Sequence, residues 1–145
     1  FNLPSASYFI RVENNDGNAV RSSSAILSAS SAPAFSTGAG SLGTISAGSS
    51  VSLSVAATSD SNVTIAETTS VLTSNSNTPT STMNLTLSGT PATSATYNIT
   101  GTAPSPTSDQ TYQFTLSATD VESQVTTRDF SITVSVGINN SGQFD

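Results

Sequence analysis

The sequence predicts an all-β protein, an antiparallel sandwich, and three observations support this. Apolar and polar residues alternate along several short runs, as expected for strands that pack one face on a core. No segment of useful length has the 3.6-residue period of an amphipathic helix. Ser and Thr make up more than a third of the 145 residues, whereas charged residues make up only 8%. This composition suits the solvent faces of strands and lacks the high charge of disordered chains.

Four runs have the clearest alternation, with apolar side chains on one face and polar side chains on the other. They are 51–57 (VSLSVAA), 83–87 (MNLTL), 112–118 (YQFTLSA) and 130–136 (FSITVSV). Short strands at this spacing favour a sandwich over a parallel sheet.

The segments between these runs have the composition of turns and loops. Turns are predicted at 46–50, 58–62 and 102–110, and a short hairpin loop at 119–124. The polar stretch 67–82 is predicted to be a loop or an irregular edge strand. The chain then divides into an N-terminal hairpin (1–30), a sandwich (31–137) and a tail (138–145).

The N-terminal hairpin is built around Asn15-Asp16-Gly17, read as a three-residue loop that needs positive φ at Gly. In this register Val12 faces Val20 and Arg11 faces Arg21. One apolar face then results, formed by Tyr8, Ile10, Val12, Val20 and Ile26. A lone hairpin is marginal in water. We therefore expect it to fold onto its own sandwich, to end a preceding domain, or to complete another subunit by strand addition.

Composition excludes several classes of function. The chain has no Cys, His, Lys or Trp, so thiol and imidazole catalysis, a Ser–Lys dyad and thiolate or imidazole metal sites are absent. Its net charge of −6 argues against nucleic acid and anionic membranes as partners. No apolar run approaches the ~20 residues that cross a bilayer.

The C-terminal half resembles a known family through Gly101-Thr102-Ala103-Pro104, Tyr112 to Thr115, Ala118 to Asp120 and Phe130 to Val134. These segments are similar to the Ig-like/cadherin-like repeat of bacterial surface proteins and tailed-phage virion or fibre proteins. The resemblance covers about 31–136 and departs from the pattern at 71–90. It implies an Ig-like antiparallel β-sandwich, tandem or self-associating modules, and an extracellular or virion location.

Carboxylates are the candidate metal ligands, because cadherin-like repeats hold Ca²⁺ with carboxylates at joints between domains. Asp120 and Glu122 lie two apart in one loop, and Asp60 lies in another. Asp also occurs in tight turns because it caps turn backbone, and the fuller cadherin ligand set is missing. The sequence therefore favours turn roles and predicts no cofactor, with these three residues as the candidates should Ca²⁺ bind.

Glycans enter the predictions in two ways. The sequons begin at Asn62, Asn84, Asn98 and Asn139, a number expected by chance; only Asn84 and Asn98 are predicted to face solvent. Aromatic residues that could stack on a bound sugar are Tyr8, Phe9, Tyr97 and Phe144, although aromatic residues usually lie in cores. Tyr112 is predicted to have a structural role, with its hydroxyl bonded to nearby backbone.

The sequence as a whole predicts a non-catalytic structural module of an extracellular or virion filament. The N-terminal hairpin would join modules head to tail by strand addition. The alternative is a glycan-binding adhesin module. An enzyme is the least favoured class.

Overall fold

The computed structural model describes residues 30–75 and 79–137 in full. Before them it describes the backbone of four short strands: β1 (Ser7–Tyr8), β2 (Arg11–Glu13), β3 (Ala19–Arg21) and β4 (Leu27–Ser28). Seven more strands follow: β5 (Ala34–Phe35), β6 (Gly40–Ser46), β7 (Ser50–Glu67), β8 (Thr86–Gly89), β9 (Ala92–Thr102), β10 (Gln110–Thr119) and β11 (Val125–Ser135). The described residues contain no helix, which confirms the all-β prediction.

The long strand β7 belongs to two sheets. Its first half pairs with β9 as far as Val63, and its last residues, from Thr64, pair with β10. If β7 were straight, β9 and β10 would extend along it in opposite directions. The end of β9 at Thr102 and the start of β10 at Gln110 would then lie roughly 60 Å apart, at ~3.3 Å per residue. The connection 103–109 spans at most about 25 Å. β7 therefore folds back between 58 and 63, where its register with β9 shifts.

The fold-back creates two facing sheets. One has the order β5-β7-β9-β8 and the other the order β6-β11-β10-β7, and β7 is shared by both. All pairs are antiparallel except β6 with β11, which is parallel. This is the strand order of an immunoglobulin-like sandwich, the predicted fold.

The two sheets are also joined at the end away from the fold-back. Here the Ala47 N–H donates to the Ser135 carbonyl (2.9 Å), and the Gly48 N–H donates to the Ala103 carbonyl (3.1 Å). The turn needs positive φ at Gly48 (φ 72°), which glycine adopts at no steric cost. The predicted turn at 46–50 is confirmed.

The core lies between the sheets and is built by the predicted alternation. Phe130 is its aromatic centre: its ring lies 5.6 Å from the Phe35 ring and 6.2 Å from the Phe114 ring, centroid to centroid. The largest fully buried side chains are Tyr112, Phe114, Phe130, Leu72, Met83, Ile99, Leu116, Ile132, Val55, Val63 and Val134. One core therefore serves the whole sandwich.

The N-terminal strands pair with one another. β2 pairs with β3 so that Val12 lies opposite Val20 and Arg11 opposite Arg21, as predicted. β1 pairs with β4 in a different register, with Tyr8 opposite Leu27. The predicted loop 15–17 lies outside the described residues.

Two local predictions were wrong. The segment 58–62 was predicted to be a turn, but it keeps extended backbone within β7 while the strand folds back. The run 83–87 was predicted to be one strand, but β8 begins only at Thr86. The N–H groups of Met83 and Leu85 instead donate to the carbonyls of residues 71 and 72, and Asn84 has a positive φ of 51°. Met83 and Leu85 are nevertheless buried, as the alternation predicted.

Candidate functional site

A cluster of three carboxylates lies where β7 folds back. Asp60 comes from the fold-back, and Asp120 and Glu122 come from the β10–β11 loop. One carboxylate oxygen from each residue lies within 4.8 Å of one from each of the others. These are the three residues that the sequence singled out, and the fold brings them together.

Asp120 is both a turn residue and an unsatisfied carboxylate. Its Oδ1 accepts from the backbone N–H groups of Glu122 (3.0 Å) and Gln124 (2.8 Å), which is the predicted capping of a tight turn. The side chain is only 5% exposed. Its Oδ2 is buried, and no donor among the described residues reaches it. Turn capping therefore accounts for one oxygen of this carboxylate and leaves the other unexplained.

Asp60 ties the cluster to the segment through which the chain enters the sandwich. Its Oδ2 accepts from the Ser31 N–H (2.9 Å), and its Oδ1 accepts from the Ser30 (3.0 Å) and Ser59 (3.2 Å) hydroxyls. The Ser31 N–H, followed by the Ser30 hydroxyl, lowers the pKa of Asp60 below its ordinary value. Asp60 is therefore ionised at neutral pH.

The other loop contacts the same entry segment. The Gln124 amide nitrogen donates to the Ser30 carbonyl (3.3 Å), while its Oε1 is buried with no donor within reach in the described part of the chain. The Ser61 hydroxyl donates to Glu122 Oε2 (2.5 Å), which links the loop to β7. Sequence reasoning missed Gln124 and the serines, because nothing in their local pattern distinguishes them from ordinary turn residues.

None of the described basic side chains neutralises the carboxylate cluster. Arg128 is the one basic residue within 30–75 and 79–137. Its Nη1 donates to the carbonyls of Phe35 (3.2 Å) and Thr37 (2.7 Å), and its guanidinium lies 5.7 Å from the centre of the Phe35 ring. It therefore fastens the crossing from β5 to β6 onto β11.

A second feature is the outer edge of the first half of β7. The N–H and C=O of Ala56 turn away from β9 and bond Thr37 Oγ1 and the N–H groups of Ser36 and Thr37. Because backbone direction alternates along a strand, the N–H and C=O of Ser50, Ser52 and Ser54 point the same way. β5 pairs only with residues 57 and 58. No described residue pairs with these three serines on that side.

The predicted assembly face is described by its backbone alone, and only in part. Tyr8, Val12 and Val20 lie on the described backbone of β1, β2 and β3. Ile10 and Ile26 lie outside the described residues, as do Asn139 and Phe144.

The structure describes three of the four sequon asparagines and the two tyrosines of the sandwich. Asn62, Asn84 and Asn98 are all exposed, which confirms solvent exposure at the two sequons where it was predicted. Tyr97 is buried in the core at 6% exposure. The Tyr112 hydroxyl donates to the Pro79 carbonyl, the structural role predicted for it, and burial raises its pKa.

None of the described residues forms a helix long and apolar enough to cross a membrane. No family model matches the chain, and no curated protein matches it significantly.

The chain is similar to several solved immunoglobulin-like domains. A chimeric titin Z1Z2 carrying a decorin peptide is 18% identical over 73% of this chain and 96% of its own, with a TM-score of 0.44. The BIgI domain of the β protein from S. agalactiae, bound to CEACAM1, is 25% identical over 66% and 88%, with a TM-score of 0.45. The titin M3 domain is 14% identical over 72% and 97%, also with a TM-score of 0.45. The fold assignment itself depends on the strand order: the chain contains an immunoglobulin-like β-sandwich.

Proposed function

We propose that this protein is a non-catalytic structural module of an extracellular or virion filament, in which modules join head to tail by strand addition. The observation that carries the proposal is the edge of β7 at Ser50, Ser52 and Ser54, which we call the open edge because no described residue pairs with it. An exposed row of strand N–H and C=O groups is a template for another chain. Natural proteins usually cover or blunt such an edge.

The occupant that we assign to this edge is the N-terminal segment (residues 1–29) of a second copy. Within this segment β1 pairs with β4 and β2 pairs with β3. Each described strand therefore has one described neighbour, and its other edge is available for pairing with β7. An added strand gains affinity from main-chain hydrogen bonds and specificity from alternate side chains. The alternation of Tyr8, Ile10 and Val12 provides such side chains.

Charge also favours this occupant. Residues 1–30 contain two Arg and two acidic residues, a net charge of zero, whereas residues 31–145 contain one Arg and seven acidic residues, a net charge of −6. Two bodies of charge −6 repel each other, but a neutral segment that carries two of the three basic residues does not add to this repulsion. The first contact between copies is therefore more favourable through the N-terminal segment than between two sandwiches.

The test is to delete residues 1–29 and compare the product with the full chain by electron microscopy and analytical ultracentrifugation. The deletion keeps Ser30 and Ser31, which bond Asp60, so the sandwich should melt cooperatively as before. We expect assemblies from the full chain and monomers from the deleted chain. Filaments of unchanged length from the deleted chain would refute the connector role.

The adhesin alternative has less support. All five aromatic side chains of the fully described ranges are buried, Phe35, Tyr97, Tyr112, Phe114 and Phe130, so this part of the surface has no aromatic platform for a sugar ring. A depression of about 430 Å³ on the outer face of β10 and β11, lined in part by Gln113, Thr115 and Asp129, is one place for a small ligand. A glycan array distinguishes the adhesin from the structural module, because specific binding of glycans to the sandwich would favour the adhesin.

A further inference from the structure

We propose that Asp60, Asp120 and Glu122 form a calcium site that fixes the entry segment to the sandwich. Two independent observations point to it. The three carboxylates converge within 4.8 Å, and Asp120, 95% buried, has an oxygen without a partner among the described residues. This site is separate from the open edge of β7 and does not require the proposed assembly.

The donor set selects the kind of ion. Every candidate ligand is a carboxylate oxygen, and hard cations such as Ca²⁺ prefer oxygen ligands. Ca–O distances of about 2.3–2.6 Å allow oxygens on opposite sides of the ion to lie roughly 5 Å apart. The oxygens of the cluster, within 4.8 Å of one another, therefore fit around one such ion with little movement.

Each carboxylate is already oriented for this task. Backbone N–H groups hold Asp120 by Oδ1 alone, which leaves Oδ2 as the oxygen that it has to offer. The Ser61 hydroxyl orients Glu122, and hydrogen bonds from Ser30, Ser31 and Ser59 orient Asp60. Hydrogen bonds from a surrounding shell of this kind fix metal ligands in place and contribute to affinity.

A bound ion would have a mechanical consequence at the entry segment. Ser30 and Ser31 bond Asp60 directly, and Gln124 bonds the Ser30 carbonyl. Neutralising the mutual repulsion of the carboxylates strengthens the attachment of both loops to this segment. Calcium would therefore stabilise the joint between the sandwich and whatever precedes Ser30.

The test is titration of the full chain with CaCl₂ after removal of trace metal, followed by calorimetry and by amide chemical shifts. We expect one ion to bind in the micromolar to millimolar range, about 10⁻⁵–10⁻³ M. The shifts should concentrate at residues 59–61 and 120–124, and the melting temperature should rise with Ca²⁺ concentration. Mg²⁺ should bind at least about tenfold more weakly, because it demands a tighter octahedral shell.

Variants separate a built site from general attraction to an acidic protein. Asp60→Asn and Glu122→Gln should each weaken binding by about tenfold or more, and neither removes a core side chain. Asp129→Asn is the matched control, an exposed carboxylate whose Oδ1 accepts from the Thr115 hydroxyl (2.6 Å) away from the cluster. Absence of binding up to about 10 mM Ca²⁺, or equal losses in all three variants, would overturn the site. Equal affinity for Mg²⁺ would overturn its assignment to calcium.

Discussion

Glu67 organises the long loop between β7 and β8, and its replacement by Gln is expected to destabilise the sandwich. Oε2 accepts from the Val71 and Leu72 N–H groups (both 2.8 Å) and the Thr69 hydroxyl (2.7 Å). Oε1 accepts from the Thr73 N–H (2.9 Å) and hydroxyl (2.8 Å). An amide keeps one acceptor oxygen and turns an NH₂ group towards donors. The loop would therefore lose at least the hydrogen bonds that one of the two carboxylate oxygens accepts.

The expected loss in the free energy of unfolding is set mainly by the two least exposed backbone donors, the N–H groups of Val71 and Leu72. Leu72 is fully buried in the core, so its N–H and that of Val71 have few alternatives to Glu67. Hydrogen bonds to a charged group contribute roughly 1.5–3 kcal/mol each. Because Glu67 is only half-buried, we take the lower end and expect a loss of about 2 kcal/mol in the free energy of unfolding. This corresponds to a fall of roughly 6–10 °C in Tm.

The pH dependence gives an independent readout. Burial acts to raise the pKa of Glu67, but the N–H groups of Leu72 and Val71, with Thr69 and Thr73, outweigh it and lower the pKa below 4.5. A lowered folded-state pKa adds stability above about pH 4.5 that is lost as the pH falls through the folded value. The stability difference between wild type and Glu67→Gln should therefore shrink as the pH falls below 4.5.

Urea unfolding at pH 7 and at lower pH measures both effects, with Asp129→Asn as the control for loss of a carboxylate. The control should change the free energy of unfolding by less than about 0.5 kcal/mol. An unfolding midpoint for Glu67→Gln equal to that of the wild type at pH 7 would refute this account of the loop.

Three further substitutions test the packing. Gly89→Ala should lower the free energy of unfolding by about 1–3 kcal/mol, because a Cβ there would lie 2.6 Å from the Tyr97 ring; an unchanged thermal midpoint would contradict this close approach. Tyr112→Phe keeps the ring but loses the bond to the Pro79 carbonyl and should cost about 1 kcal/mol in urea unfolding. Arg128→Lys cannot reproduce the reach of the guanidinium to two carbonyls and should cost about 1 kcal/mol, measured in the same way; a neutral result would deny it a role in fastening the crossing.

Alternation predicted β10, β11 and the first half of β7, because period-two patterning directly reflects burial of one strand face. Val51, Val55, Phe114 and Ile132 lie in the core as expected. β6 was not predicted, since its residues Gly40–Ser46 are only partly buried and their parallel pairing with β11 depends on chain segments far apart in sequence. Local pattern has no access to such pairing.

Two buried features escaped prediction for a related reason. Leu72 lies in a polar stretch, and its burial depends on Glu67 holding the loop from five residues away. The carboxylate cluster could be named residue by residue, but its convergence depends on the fold-back of β7 meeting the β10–β11 loop. The unsatisfied Oδ2 of Asp120 is a property of three-dimensional packing alone.

The most direct test of the central claim replaces Ser52 at the open edge of β7 by Pro in the full chain. Proline removes the N–H that faces away from β9, and edge positions of this kind tolerate it. Ser52→Thr is the matched control, since it keeps the N–H. Sedimentation velocity should show assembly in the wild type and in Ser52→Thr and its loss in Ser52→Pro, with all three chains folded. Equal assembly in Ser52→Pro would contradict strand addition at this edge.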